Sequence, residues 1–260
     1  MCRLAAYSGP VIPLQRLLLE PEHSLMVQSW APREMAEAAL NADGFGFGWY
    51  GADGRPEKYV NTCPMWSDVN LEALARTLHS GLWLANVRSA TPGQAVSLDN
   101  TQPFIDSRRC MYLHNGYIRD FTDSVRPRFH ARLTPAVQAG IRGNTDSEYL
   151  FALFRQQLDA TDREPLPALQ NTLAELPELL DGRQALVNIV VSDGRSLLIC
   201  RHAFNRGRCP SLYVTNRHPD FPEAVLIASE PFAAADAWET VAENAILSVS
   251  PEQVITNHAP

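Results

Sequence analysis

The 260 residues are 45% hydrophobic and 20% charged with a formal net charge of −7, so a sizeable core can form and the field of the chain repels nucleic-acid backbones and acidic membrane surfaces. No Lys/Arg cluster offsets that charge, the N-terminus lacks a basic region followed by a long apolar core, and no apolar run nears the ~20 residues that span a bilayer. The expectation is a cytoplasmic protein with neither a nucleic-acid nor a membrane partner.

The chain opens MCRLAAYSGP, a strand with Cys2 directly behind the initiator methionine. PLQRLLLE, with leucines at 14, 17 and 18, predicts a short amphipathic helix. FGFGWYGADGRPEKYV reads as two strands joined through Gly51-Ala52-Asp53-Gly54, with Phe45, Phe47 and Trp49 on one face. NLEALARTLHSG repeats apolar residues at 71, 74, 75 and 78, predicting a helix ended by Gly81, and LWLANV then forms a buried strand that delivers Arg88. CMYLHNGYI is a strand interrupted at Asn115-Gly116. DSEYLFALFRQQL and PALQNTLAELPELL read as helices, ALVNIVVSDGRSLLICR as a hairpin turning at Asp193-Gly194, and SLYVT, AVLIAS and AILSVS as further strands. Strands in antiparallel pairs with helices grouped between them favour α+β, and the lack of repeats or linkers favours one domain over residues 1–260.

The five cysteines, at 2, 63, 110, 200 and 209, are odd in number and lack a CxxC pair, which suggests neither a disulfide framework nor a thiolate zinc site. The histidines show no HExxH spacing. No metal and no cofactor are expected.

Four stretches put uncommon polar residues at the ends of buried strands: MCR, VRSAT (87–91), LHNG (113–116) and NTDSE (144–148). Taken singly, each has an ordinary reading. Cys2 serves as an incidental small residue, Arg88 ends a strand in solvent, Asn115-Gly116 makes a turn, and Asp146 caps the helix that begins near Ser147. Removal of Met1 would give Cys2 a free α-amine of ordinary pKa ~7.7–8.0, able to take the thiol proton. The Asn115 amide and Gly116 N–H suit an oxyanion site, and the fork of Arg88 suits a carboxylate.

The ordered set resembles the class II glutamine amidotransferase domain of the N-terminal nucleophile hydrolases. That resemblance implies a four-layer αββα sandwich, two antiparallel sheets between helical layers. It implies Cys2 as nucleophile with Met1 removed, Asn115 and Gly116 as oxyanion donors, and Arg88, Thr91 and Asp146 as the binding set for a glutamyl group. Leu40-Asn41 stands where related domains more often carry Arg-Gly, and Asn86 where a histidine often precedes the arginine, so neither position carries over.

PEHSLMVQSWAPREM, NADGFGFGWY, VRSAT, LHNG and ASEPF followed by Trp238 narrow the resemblance to the ergothioneine-biosynthesis amidohydrolases. This implies a small-molecule γ-glutamyl substrate, γ-glutamyl-hercynylcysteine sulfoxide, hydrolysed by a chain with no room for a synthase domain, and it admits a homodimer. The leaving group's trimethylammonium calls for aromatic faces, for which Phe47, Trp49 and Trp66 are candidates. Two alternatives stay open: a glutaminase or γ-glutamyl peptide hydrolase with the same machinery, and a binding protein of the same fold without activity.

Overall fold

A computed structural model describes residues 2–259 apart from 36–39, 92–93, 107–108, 206 and 234. Among the described residues the strands form two sheets, antiparallel throughout. The first contains β1 (Arg3–Pro13), β2 (Phe45–Tyr50), β3 (Pro56–Asn61) and β4 (His79–Val87), together with β9 (Tyr213–Thr215), β10 (Val225–Ala228) and β11 (Glu239–Thr240), in the order β11-β9-β10-β1-β4-β2-β3. The second contains β5 (Phe104–Asp106), β6 (Cys110–Ile118), β7 (Ala185–Ser192), β8 (Leu197–Phe204), β12 (Ala245–Val249) and β13 (Ile255–His258), in the order β13-β12-β8-β7-β6-β5.

Alternation along the strands builds the layers. Leu4 and Ala6 of β1 meet Leu113 of β6 and Val190 of β7 between the sheets. Ala5 and Tyr7 point to the opposite face, where Phe45, Phe47 and Trp83 pack with α1 (Gln15–Leu18), α2 (Leu25–Trp30) and α3 (Leu71–Thr77). On the far face of the second sheet, Tyr112, Val187 and Ile189 pack against the apolar sides of α6 (Asp146–Ala160) and α7 (Pro165–Leu180). Two short helices, α4 (Arg126–Arg132) and α5 (Pro135–Gln138), complete that layer through Phe129 and Val137. The result is the expected αββα sandwich.

Two sequence expectations need correction. The helix over NLEALARTLHSG ends at Thr77, not at Gly81: Leu78 turns extended (φ −82°, ψ 127°) and the ladder to β1 begins with His79 opposite Pro13. Gly81 therefore lies inside β4. Likewise β6 is not broken at Asn115-Gly116, because both residues stay in register with Asn188 and Val187 of β7. Gly116 marks a close backbone approach instead, since a Cβ there would lie 1.8 Å from the Leu186 carbonyl oxygen.

Candidate active site

The first residues of β1 lie between the last residues of β4 and β10. Arg3 is opposite Val87, so Cys2 and Arg88 leave neighbouring strands at the same end of the sheet, and the Cys2 Sγ lies 3.9 Å from the Ser89 carbonyl oxygen. Met1 lies outside the described residues. On the other side of β4, Val87 is opposite Phe45, and the chain before β2 continues the ladder: Arg88 N–H donates to Gly44 O at 2.8 Å and Asp43 N–H to Arg88 O at 3.0 Å. Gly44 is at φ +114° with Asn61 O where a Cβ would stand, so this turn requires glycine. Asp43 also accepts from Ala90 N–H through Oδ2 at 2.8 Å.

Arg88 does not end its strand in solvent. It is 4% exposed, and its guanidinium donates through Nη1 to Asp43 O at 3.4 Å and through Nη2 to Ala95 O at 3.1 Å. Burial pushes its pKa down, while Cys2, Asp43 and Asp146 are close enough to pull it back in part. Ala95 O also accepts from Asn100 Nδ2 at 3.0 Å, and Asn100 pairs reciprocally with Asn144 at 2.9 Å through each of two bonds. Arg88 is thereby linked to the segment that precedes α6.

The cap of that helix is Thr145, whose hydroxyl accepts from Glu148 N–H at 3.2 Å, and not Asp146, which is the first helical residue. The reason is local: Thr145 holds the extended conformation a cap requires, at φ −83° and ψ 150°. Asp146 instead accepts from Ile118 N–H at 2.8 Å and from Ser147 N–H at 2.7 Å. His114, the strand residue before Asn115, binds both elements: Nδ1 meets Ser147 Oγ at 2.8 Å and Nε2 meets Leu186 O at 3.1 Å. A carbonyl only accepts, so a proton sits on Nε2; the Ser147 hydroxyl in turn donates to Asp146 Oδ1 at 3.3 Å. Burial pushes the His114 pKa down against the pull of Asp146, so the imidazole is neutral.

Asn115 is fully buried between the sheets, and its Nδ2 donates to Ser229 Oγ at 3.2 Å. Ser229 follows β10; its Oγ accepts from Leu4 N–H at 3.0 Å and its own N–H donates to Leu4 O at 3.0 Å. One serine thus ties the proposed oxyanion donor to the strand that begins beside Cys2. The Asn115 Oδ1 is buried with no hydrogen-bond partner among the described residues.

Cys2, Arg88, Asn115, Gly116 and Asp146 are therefore carried by elements bonded to one another at this end of the sandwich. Thr91 is exposed on the loop after Arg88, with its carbonyl accepting from Gln94 N–H at 2.9 Å; its side chain makes no hydrogen bond among the described residues. Sequence reading missed Asp43, His114 and Ser229, which act by bonds to distant backbone. Asn86, placed where related domains often have histidine, donates to Arg3 O at 3.2 Å, and Asn41 donates to Gln28 O at 3.1 Å. Among the described residues no cluster of three or more His, Cys, Asp or Glu side chains is arranged to hold a metal, and no helix is long and apolar enough to cross a membrane.

Comparison with known proteins identifies the family. Residues 18–256 match the family model of class-II glutamine amidotransferases. A γ-glutamyl-hercynylcysteine sulfoxide hydrolase of Mycolicibacterium smegmatis is 31% identical over 256 residues, covering 98% of each chain. A probable glutamine amidotransferase of Saccharomyces cerevisiae is 27% identical over 301 residues, covering 98% of this chain and 83% of the yeast protein. Among solved structures, a glutamine aminotransferase class-II domain protein of Silicibacter pomeroyi superposes with a TM-score of 0.73 at 26% identity over 100% of both chains. A match of this extent to the family model, together with the full-length relatives, establishes that the chain belongs to the class-II glutamine amidotransferases.

Proposed function

We propose that the protein hydrolyses a γ-glutamyl amide through Cys2, with γ-glutamyl-hercynylcysteine sulfoxide as the substrate and glutamate and hercynylcysteine sulfoxide as the products. The observation that carries this reading is the full-length similarity to the Mycolicibacterium smegmatis hydrolase, 31% identical over 98% of both chains. The joining of strands that carry Cys2, Arg88 and Asn115 at one end of the sandwich supports it.

In the proposed mechanism, removal of Met1 frees the α-amine of Cys2. The amine takes the thiol proton, and the thiolate attacks the γ-carbonyl held by Arg88 at the substrate's α-carboxylate and by Asp146 at its α-ammonium. Negative charge on the carbonyl oxygen is met by Asn115 Nδ2 and the Gly116 N–H. Collapse of the tetrahedral adduct breaks the C–N bond, and the amine returns the proton to the leaving nitrogen. Water, deprotonated by the same amine, then cleaves the thioester and releases glutamate. The reading places this chemistry in the cytoplasm, where thiols stay reduced, on a single domain over residues 1–260 and without nucleic acid.

A second reading, a glutaminase or γ-glutamyl peptide hydrolase, is favoured by the similarity to the yeast glutamine amidotransferase. A substrate panel separates the two. The first reading expects kcat/KM for the γ-glutamyl sulfoxide to exceed that for glutamine and glutathione by at least about tenfold, equivalent to ~1.4 kcal/mol of transition-state binding. Glutamine or glutathione as the equal or better substrate overturns the sulfoxide assignment and leaves the N-terminal nucleophile mechanism standing.

A further inference from the structure

The residues immediately after the nucleophile and immediately after Ser229 form a buried ion pair that the mechanism above does not use. Arg3 is 0% exposed, and its fork is shared among three acceptors: Nε donates to Cys2 O at 2.8 Å, and Nη1 to Glu230 Oε1 at 3.2 Å and, more weakly, to Ser211 Oγ at 3.5 Å. Glu230, 1% exposed, takes three more donors: His23 Nε2 at 2.7 Å, Arg33 N–H at 2.8 Å and Glu34 N–H at 3.0 Å. Burial alone pushes the Glu230 carboxyl up, yet His23, the two backbone donors and Arg3 outweigh it and hold the pKa below the ordinary value.

An ion pair this deep is a poor device for stability, because desolvation of both charges offsets most of their attraction. It is a good device for geometry. A chain end is covalently anchored on one side only, so the first peptide plane turns freely unless its carbonyl is held. Arg3 holds that carbonyl, Glu230 holds Arg3, and Glu230 is itself fixed by the chain on either side of it in space. Ser229 and Glu230 are consecutive, so a single segment fixes Leu4, Asn115 and, through Arg3, Cys2.

We propose that Glu230 is a positioning residue for the N-terminal nucleophile: acting through Arg3, it fixes the main chain of Cys2 and couples it to the 33–34 segment. This rests on the reading of Cys2 as nucleophile. The charged and titratable groups around the pair are Arg3 on β1, His23 before α2, and Glu34, whose carboxylate accepts from Tyr213 Oη at 2.8 Å. Cys2 is faced in turn by Arg3 and Arg88.

The test uses the full chain with Met1 removed, checked by mass. Glu230→Gln keeps the shape of the side chain but removes the ion-pair partner of Arg3, leaving Glu34 as the remaining carboxylate near it, and the stronger positive field on the main chain of Cys2 disfavours the protonated amine. The expected result is a loss in kcat of about tenfold or more with KM within about twofold, and an acid limb of the kcat/KM profile moved down by about half a pH unit. A merely structural defect reduces the active fraction and leaves the limb where it was, which overturns the proposal. Arg3→Lys covers a failure of Glu230→Gln to fold: it keeps a cation opposite Glu230 but lacks the N–H that reaches Cys2 O, and is expected to lose about tenfold in kcat with the limb unmoved. Where both variants fold, the double variant should cost no more than the worse single one, because the two residues act as a unit; additive losses, or wild-type kcat in Arg3→Lys, overturn the proposal. Wild-type turnover and labelling of Cys2 by diazo-oxo-norleucine run alongside. If both fail, the reading of Cys2 falls with the proposal, whereas wild-type behaviour in the variants removes Glu230 alone.

Discussion

Asp146 and Ile118 are joined by a 2.8 Å hydrogen bond in which the strand N–H donates to Oδ2. The carboxylate that opens α6 is thus tied to the strand carrying Asn115 and Gly116, so the two halves of the proposed site cannot shift independently. Asp146→Ala strands a buried N–H and should lower unfolding free energy by ~1–3 kcal/mol, measured by urea denaturation. Asp146→Asn should lose less stability and still raise KM and lower kcat for γ-glutamyl substrates, since it removes the charge proposed to meet the α-ammonium. Wild-type kinetics in Asp146→Asn would confine this residue to structure.

Arg88 donates to Asp43 O and Ala95 O, and those bonds fix the plane of the fork that is proposed to meet the substrate carboxylate. Lysine cannot hold two carbonyls and a carboxylate in one plane. Arg88→Lys should therefore fail to rescue: KM should rise and kcat fall together, with kcat/KM down by about a hundredfold, or ~2.7 kcal/mol. Steady-state kinetics on the best γ-glutamyl substrate decides this, and a variant within about threefold of wild type counts against the anchoring role.

How much of this was legible in the sequence depends on the range of the interaction. Arg88 was readable because the apolar run before it ends there, and Asp146 because it starts a helix whose apolar pattern is local. The αββα layering followed from resemblance, and period-2 alternation fits it. Helix α2 was not readable: Gln28 and Ser29 are buried within it, and they break the apolar pattern while bonding to His23 O and Met26 O nearby. Glu230 was not readable either, because its partner Arg3 is 227 positions away and only the pairing of β10 with β1 brings them together. A glycine inside a strand marks a bulge or a close backbone approach, and Gly116 is the second, with the crowding backbone belonging to β7, 70 residues on, while the strand itself is unbroken.

The depressed pKa of Glu230 fixes a pH window for stability. A carboxyl whose folded pKa lies below its ordinary value of 4.5 contributes stability that is present above that value and is lost as pH falls through the folded pKa. Thermal unfolding followed between pH 6 and pH 3, a range of about three units, should show Tm falling more steeply in wild type than in Glu230→Gln. Parallel curves would mean that the Glu230 carboxyl titrates alike in the folded and unfolded chain, and the carboxylate would then contribute nothing to the acid limb of stability.

Gly116 and Asn115 separate packing from chemistry. Gly116→Ala drives a methyl into the Leu186 carbonyl, against backbone that cannot move without opening the β6–β7 ladder. It should lose at least ~3 kcal/mol, beyond the usual overpacking cost, or fail to fold. Asn115→Ala leaves that ladder intact and should keep most of its stability while kcat drops by about a hundredfold to a thousandfold. A folded Asn115→Ala with wild-type kcat removes the oxyanion role.

Thiol selectivity tests the nucleophile directly. Cys110, Cys200 and Cys209 are buried, and burial pushes each thiol's pKa up, so little thiolate is present to react. Cys63 is half-buried, and burial followed by the Asp68 carboxylate pushes its pKa up too. Diazo-oxo-norleucine should therefore label Cys2 alone, read by peptide mass, and Cys2→Ala should fold while losing nearly all hydrolysis. Label on Cys63, or activity in Cys2→Ala, would sink the mechanism.

The leaving group is the remaining question, and the aromatic residues divide on it. A trimethylammonium donates no N–H bond and is satisfied by an aromatic face it can reach. Phe47 offers none: it is 0% exposed and stacked on Tyr59 at 5.3 Å. Trp49 is tilted between Phe47 and Trp83, at 5.9 and 6.1 Å. Trp66 differs, being 41% exposed and edge-on at 6.0 Å to Trp30, itself 43% exposed. Its segment follows β3, whose last residue Asn61 is opposite Phe45, the residue that also pairs with Val87 beside Arg88. Trp66→Ala should therefore lower kcat/KM for the γ-glutamyl sulfoxide by about fivefold to tenfold, the range of an exposed to partly desolvated cation–π contact, and leave glutamine hydrolysis unchanged. Equal losses on both substrates would assign Trp66 to packing with Trp30, and no loss on either would move the cation to another surface.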